Sequence, residues 1–296
     1  MINRLFALAV LAIGVSLALA GCGQDDGAPS GAPAATSALA QLGDDPGVLH
    51  VHGLGVDGRD GSLYAATHTG LFRITSESRA ERVGAFQDLM GFTVQAPGVF
   101  LASGHPSPQM MRDEKLPPHL GLLRSTDGGE AWERLSLLGE ADFHVLRIAK
   151  PAGIYGYNSV RGELLYSQDG KQWQTRSRPQ VFDFVVSPED PELLLATTAT
   201  GLARSVDGGR SWTAVEGPPL AFLAWETAGA VYGVAPDGRV YRNSDGGLAW
   251  EERSRLTGKP EAMLVHGDQL LVAVDGRGIV ESLDGGATWT DRYRLP

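Results

Sequence analysis

One turn signature recurs at the spacing of a four-stranded sheet, and it predicts an all-β fold, a six-bladed β-propeller over residues 47–296. Ser125-Thr-Asp127-Gly-Gly129-Glu-Ala-Trp132 returns as Ser205-Val-Asp207-Gly-Gly209-Arg-Ser-Trp212 and as Ser282-Leu-Asp284-Gly-Gly286-Ala-Thr-Trp289. A variant reads Asn243-Ser-Asp245-Gly-Gly247-Leu-Ala-Trp250, and a shortened copy reads Ser167-Gln-Asp169-Gly-Lys-Gln-Trp173. The aspartates fall 42, 38, 38 and 39 residues apart, one blade length each. Composition agrees: 39 glycines and 17 prolines among 296 residues, with no collagen period, mark a turn-rich β chain. A single cysteine, Cys22, excludes an internal disulfide and a multi-cysteine zinc or iron–sulfur site.

Ahead of the repeats, Met1-Ile2-Asn3-Arg4 leads into an uncharged apolar run over 5–20. One cation followed by a short apolar stretch is a secretory signal, and 16 residues fall short of a comfortable bilayer span. The run ends in Leu19-Ala20-Gly21-Cys22, which resembles the bacterial lipobox. That resemblance implies a signal peptide over 1–21 and lipid on Cys22. Several acyl chains on one residue anchor a protein stably without a transmembrane helix. Residues 22–46 are then the lipidated cysteine and a Gly/Ala/Pro-rich disordered tether, with a reach of roughly 25–30 Å. The expected location is the cell envelope, outside the cytoplasm, at the periplasmic face or the cell surface. Gly23 carries no aspartate-type inner-membrane retention signal, so inner and outer membrane both stay open. The net charge of −10 argues against a nucleic-acid partner. A monomer is expected.

The repeats are bounded near 47–85, 86–138, 139–178, 179–216, 217–257 and 258–296. Thr69-Gly-Leu-Phe-Arg73-Ile74 matches Thr200-Gly-Leu-Ala-Arg204-Ser205 but no signature follows it, so the first repeat is degenerate. Hydrophobic alternation places strand A at 52–56, 91–94, 144–148, 183–186, 221–225 and 262–265. Strand B falls at 63–67, 99–103, 154–157, 193–197, 230–234 and 269–274, and strand C at the Gly-Leu-x-Arg-Ser segments. A fourth strand at 290–295 lets the last repeat complete itself, while the way the ring closes stays open.

The signature resembles the Asp box, or BNR repeat, of sialidases, sortilin-type receptors and photosystem II assembly-factor propellers. In that family the box joins the third and fourth strands, far from the ligand face. The resemblance makes Asp127, Asp169, Asp207, Asp245 and Asp284 structural. Turn chemistry says the same: the carboxylate accepts backbone N–H groups, glycine permits positive φ, and tryptophan packs the turn on its blade.

The seven histidines are unevenly placed. Because strand B returns antiparallel to A, the start of A and the end of B share one face. His50, His52 and His144 sit at starts of A, His68 and His105 at ends of B, and His119 closes the long B–C loop of repeat 2. Only His266 falls in an A–B turn. The repeat-2 insertion over 106–118, carrying Met110 and Met111, lies on the histidine face. Imidazole suits Zn²⁺ and Cu²⁺ and thioether suits Cu⁺. His50, His52, His68, His105 and His144 are the candidate metal ligands, with Met110, Met111 and His119 as additions. Backbone-bonded loop histidines, or an organic ligand, are the other reading.

Sialidase resemblance would imply an exo-sialidase-like glycoside hydrolase, with an arginine triad, a Tyr–Glu pair and an acidic donor. Phe72-Arg73-Ile74 approaches the Phe-Arg-Ile-Pro motif of those enzymes, but Thr75 replaces the proline. Arg73 also aligns with Arg124, Arg204 and Arg242, and four arginines at one repeat position fit blade structure rather than one clamp. Asp183, Glu261, Tyr157, Arg161 and Arg277 remain candidate catalytic groups on the histidine face. The leading expectation is a membrane-anchored propeller binding copper, zinc or another ligand at its histidine face. The alternatives are a glycoside hydrolase acting on a glycan and an assembly or protein-interaction factor.

Overall fold

The computed structural model describes residues 45–151, 153–227, 230–246 and 249–296. The expected signal, Cys22 and all but the last two residues of the tether lie outside them. Among the described residues no helix is long and apolar enough to cross a membrane.

Six antiparallel sheets of four strands follow one another in chain order. Blade 1 is β1 (Val51–Val56), β2 (Leu63–Thr67), β3 (Gly70–Ser76) and β4 (Arg79–Val83). Blade 2 is β5 (Asp88–Ala96), β6 (Val99–His105), the inserted helix α1 (Pro108–Asp113), β7 (Leu122–Ser125) and β8 (Glu133–Ser136). Blade 3 is β9 (Phe143–Ile148), β10 (Ile154–Asn158), β11 (Glu163–Ser167) and β12 (Trp173–Ser177). Blade 4 is β13 (Val181–Val186), β14 (Leu194–Thr198), β15 (Gly201–Ser205) and β16 (Thr213–Val215). Blade 5 is β17 (Phe222–Thr227), β18 (Ala230–Val234), β19 (Arg239–Asn243) and β20 (Trp250–Arg255). Blade 6 is β21 (Pro260–His266), β22 (Gln269–Val274), β23 (Gly278–Ser282) and β24 (Thr290–Arg294). The expected six-bladed, all-β propeller is the fold found. The degenerate first repeat is a complete blade: the pair Glu77-Ser78 turns β3 into β4 where the other blades use the Asp-Gly signature.

Burial follows from stacking blades face to face. The second strand is buried along its length, as in β2, because neighbouring blades cover both its faces. The fourth strand is largely wet, as in β16. Six apolar clusters fill the six gaps between blades. The cluster that closes the ring sets Val51, Leu54, Leu63 and Phe72 of blade 1 against Ala262, Leu271, Ile279 and Tyr293 of blade 6. Closure is by side-chain packing together with bonds from the Arg294 N–H to the Glu77 carbonyl at 2.7 Å and from the Val51 N–H to Glu261 at 3.0 Å, while β24 pairs β23 inside its own blade. Truncating one such core residue, Leu271→Ala for instance, costs about 2–5 kcal/mol. Backbones also meet closely: a Cβ on Gly91 would lie 2.3 Å from the Phe143 carbonyl oxygen of the next blade.

The Asp-Gly turns are built as their chemistry requires. The Ser125 hydroxyl donates to Asp127 Oδ1 at 2.7 Å and accepts the Gly129 N–H at 2.8 Å, while the same carboxylate accepts the Ala131 N–H at 3.1 Å. Asp207 and Asp284 repeat this arrangement. The Ser125 hydroxyl and the Ala131 N–H hold the Asp127 carboxyl below the usual carboxylate range. Each tryptophan then reaches the preceding blade. Trp173, Trp212 and Trp289 donate their indole N–H to Ser136, Ser177 and Ser254, at 2.9, 3.2 and 2.9 Å. These serines hold one repeat position, opposite Leu122, Leu164 and Val240 in the ladder between third and fourth strands. At that position blade 4 has Val215, opposite Leu202, and the indole N–H of Trp250 is left buried without a partner.

Candidate functional site

Bulges at the starts of the first strands shape the mouth of the central channel. The pairing register of the first two strands slips at His52 in β1, at Met90 and Gly91 in β5, at His144 in β9, at Phe182 in β13 and at Glu261 in β21. A bulged residue leaves the ladder and its side chain is re-aimed. His52, Met90, His144, Phe182 and Glu261 all line one cavity of about 380 Å³, together with His50, Arg147, Asp183 and Trp225.

Three imidazoles meet at the blade 1 side of this mouth. The ligand nitrogens of His50, His52 and His68 lie within 4.8 Å of one another. Ring centroids are 4.6 Å apart for His50–His52, 5.2 Å for His50–His68 and 4.3 Å for His52–His68. Tetrahedral zinc sets its nitrogens about 3.3 Å apart, so modest side-chain rotations would close the set on an ion. Carboxylates back the rings. His50 Nδ1 donates to Glu261 Oε1 at 2.6 Å, which leaves its Nε2 free. Asp88 Oδ1 accepts from His68 Nδ1 at 3.0 Å and lies 3.9 Å from His52 Nε2, beyond hydrogen-bond reach. The backbone is bent to this end: His50 has φ of 49°, a conformation costing about 1–3 kcal/mol for a non-glycine residue. Gly104 sits so close to strand β5 that a Cβ would lie 2.0 Å from the Asp88 carbonyl oxygen. The His52 side chain is 11% exposed. Burial, then the neighbouring rings of His68 and His50, push it down to about 3, which keeps it neutral with a lone pair to offer.

A second group lies beside the first, across blades 2 and 3. His105, His119 and Asp142 also bring their ligand atoms within 4.8 Å. His105 Nδ1 donates to the Pro118 carbonyl at 2.8 Å, tying together the two ends of the 106–118 insertion, and its Nε2 lies 3.7 Å from Asp142 Oδ2. His144 Nε2 is 2.8 Å and Ser159 Oγ 3.0 Å from the same oxygen. Burial would raise the Asp142 carboxyl, but the His144 and Ser159 bonds and the His105 ring outweigh it and hold it below the usual range. Asp142 Oδ1 and His119 Nδ1 are both buried without a hydrogen-bond partner.

The five candidate ligands are therefore divided between two groups, with His144 holding the carboxylate of the second. Met110 and Met111 are on α1, outside the channel lining, and Met111 is exposed. Of the candidate catalytic groups, Asp183 and Glu261 line the cavity, whereas Tyr157, Arg161 and Arg277 do not. Asp183 accepts from Arg147 Nη2 at 2.7 Å, from the Phe184 N–H at 2.8 Å and from the Leu223 N–H of blade 5 at 2.8 Å. It is 2% exposed, and burial raises its carboxyl against the pull of Arg147. Glu261 accepts the Val51 N–H at 3.0 Å besides His50. The Tyr157 hydroxyl donates to the Pro179 carbonyl, Arg277 pairs with Asp291, and Arg161 is solvent-exposed. The strand-C arginines Arg73, Arg124, Arg204 and Arg242 belong to blades 1, 2, 4 and 5, while blades 3 and 6 carry Tyr166 and Glu281 there, and Arg73 pairs with Glu81. His266 pairs with Glu226 at the other end of the first strands, at 3.1 Å. Asp88 and Asp142 escaped the reading of the sequence. Their signal was position: Asp142 stands two residues before His144, the spacing of His50 from His52.

No family model matches the chain, and no curated protein matches it. Among solved structures it is similar to a chain of a nidogen/laminin complex, at 12% identity over 79% of this chain and 93% of that one, with a TM-score of 0.63. It is similar to an ancestral GH74 enzyme at 16% identity, covering 84% of this chain and 39% of that one, with a TM-score of 0.56. It is similar to YCF48 bound to a D1 peptide at 14% identity, covering 78% and 77%, with a TM-score of 0.54. These likenesses are of fold.

Proposed function

We propose that this chain is a lipid-anchored propeller of the Asp-box type that binds a transition metal, copper or zinc, at the mouth of its channel. The observation that carries the reading is the His50, His52 and His68 triad backed by Asp88 and Glu261. Metal-binding histidines are neutral and are oriented by a carboxylate or carbonyl on their other nitrogen. His50 meets the second condition and His52 the first. Three imidazoles suit copper and zinc alike. Equilibrium dialysis of the full chain against Cu²⁺, Cu⁺ and Zn²⁺ tests the reading. One equivalent should be lost from the His52→Ala/His68→Ala variant; a folded protein that binds none of the three would overturn it.

The anchor rests on the lipobox resemblance at Cys22. Cys22→Ser should move the protein from the membrane to the soluble envelope fraction, and unchanged fractionation would refute the anchor. A glycoside hydrolase reading draws on the GH74 likeness, yet Asp183 already makes three structural bonds, which leaves it ill-suited to proton transfer. A protein-interaction reading draws on the YCF48 and nidogen/laminin likenesses and on Phe182, 65% exposed at the channel mouth. It is tested by co-purification that survives the histidine substitutions.

A further inference from the structure

We infer that His105, His119 and Asp142 form a second transition-metal site, separate from the triad, that takes a divalent ion of the zinc class. Two imidazoles and a carboxylate are the donor set of three-ligand zinc sites, in which water or substrate takes the fourth position. The harder oxygen donor disfavours Cu⁺.

Two features of the apoprotein point to a ligand. Buried polar atoms are almost always paired, yet Asp142 Oδ1 and His119 Nδ1 are both buried and bare, in the same cluster. The remaining polar atoms around them are committed in ways that suit an ion. The Pro118 carbonyl takes the Nδ1 proton of His105, which fixes Nε2 as the nitrogen with the free lone pair, on the Asp142 side. His144 and Ser159 hold Asp142 Oδ2, so the carboxylate is fixed in place while Oδ1 stays free. This is the supporting shell that metal centres use to orient their ligands. The site also explains the insertion of repeat 2. The 106–118 segment leaves the sheet at His105 and ends at His119, three residues before β7, and the bond between His105 and Pro118 closes that loop so the two rings come together, centroids 5.5 Å apart and tilted by 57°.

The site stands independently of the triad, and a Zn²⁺ titration on the full chain separates the two. The His52→Ala/His68→Ala variant, titrated with Zn²⁺ against a chromophoric chelator, should retain about one equivalent. Adding His119→Ala should abolish that equivalent or weaken it by at least about 100-fold, the upper end of what even a supporting-shell change does. Asp142→Asn keeps the shape and should weaken it too. Where His119→Ala unfolds, as circular dichroism would show, His119→Gln replaces it. Loss of all Zn²⁺ binding in the triad variant, or binding indifferent to His105, His119 and Asp142, overturns the second site. One equivalent in the wild type that survives the triad substitutions and vanishes with His119 upholds the second site and refutes the triad.

Discussion

His52 Nε2 stands 3.2 Å from His68 Nδ1 at the channel mouth. The two residues belong to the start of one strand and the turn after its antiparallel neighbour, and a bulge at His52 is what lets the rings meet. After burial, the His68 ring is the largest influence keeping a proton off His52.

That contact sets a pH dependence. His52 titrates near 3 in the folded protein against 6.5 in the unfolded chain, so between those values the unfolded chain takes up a proton and the folded one does not. Through this group the metal-free protein is fully stabilised above pH 6.5 and loses stability as pH falls towards 3. One pKa unit is about 1.4 kcal/mol, so the slope approaches ~1.4 kcal/mol per pH unit well below pH 6.5. Denaturant midpoints measured with a chelator present should fall more steeply from pH 6.5 to 4.5 for the wild type than for His52→Gln. Parallel curves would contradict this.

Metal should stabilise the fold by mass action. At 100 times its Kd an ion bound only to the folded state adds about 2.7 kcal/mol. For a propeller of this size that is a rise in Tm on the order of 5–10 °C. Differential scanning calorimetry should show the rise with Cu²⁺ or Zn²⁺, its reversal by a chelator, and its absence in the variant lacking both sets of histidines.

Asp183 is expected to act on stability. It joins three blades by accepting from Arg147 in blade 3, Phe184 in blade 4 and Leu223 in blade 5. Asp183→Ala strands a guanidinium and two N–H groups and should cost about 3–5 kcal/mol. A variant as stable as the wild type would return Asp183 to the list of catalytic candidates.

Val215→Thr should stabilise the protein. Threonine keeps the shape of valine and offers Trp250 Nε1 the hydroxyl that serine supplies in blades 2, 3 and 5. A gain of about 0.5–1 kcal/mol in urea unfolding is expected. Destabilisation would mean that Trp250 is placed differently from its counterparts.

The fold was legible because repetition was. Five signatures at blade spacing mark five sheets and the Gly-Leu-Phe-Arg73 flank marks the sixth, and the Ser-Asp bonds depend only on neighbours in sequence, so local chemistry reads directly from the chain. The histidine face was legible for the same reason, since antiparallel returns bring strand starts and ends together. The division into two clusters was not, because it depends on how blades stack: Asp88 belongs to blade 2 yet bonds His68 of blade 1, and Glu261 reaches His50 across the ring closure. The bulges at His52, His144, Phe182 and Glu261 were equally hidden, since a one-residue register slip leaves the hydrophobic alternation of a short strand almost unchanged.

Anomalous X-ray scattering from crystals grown with Cu²⁺ or Zn²⁺ tests the central claim most directly. The expected result is a metal peak about 2.0–2.1 Å from ring nitrogens of His50, His52 and His68. A triad without a peak, in a crystal where the ion is plainly present elsewhere or absent throughout, would contradict it.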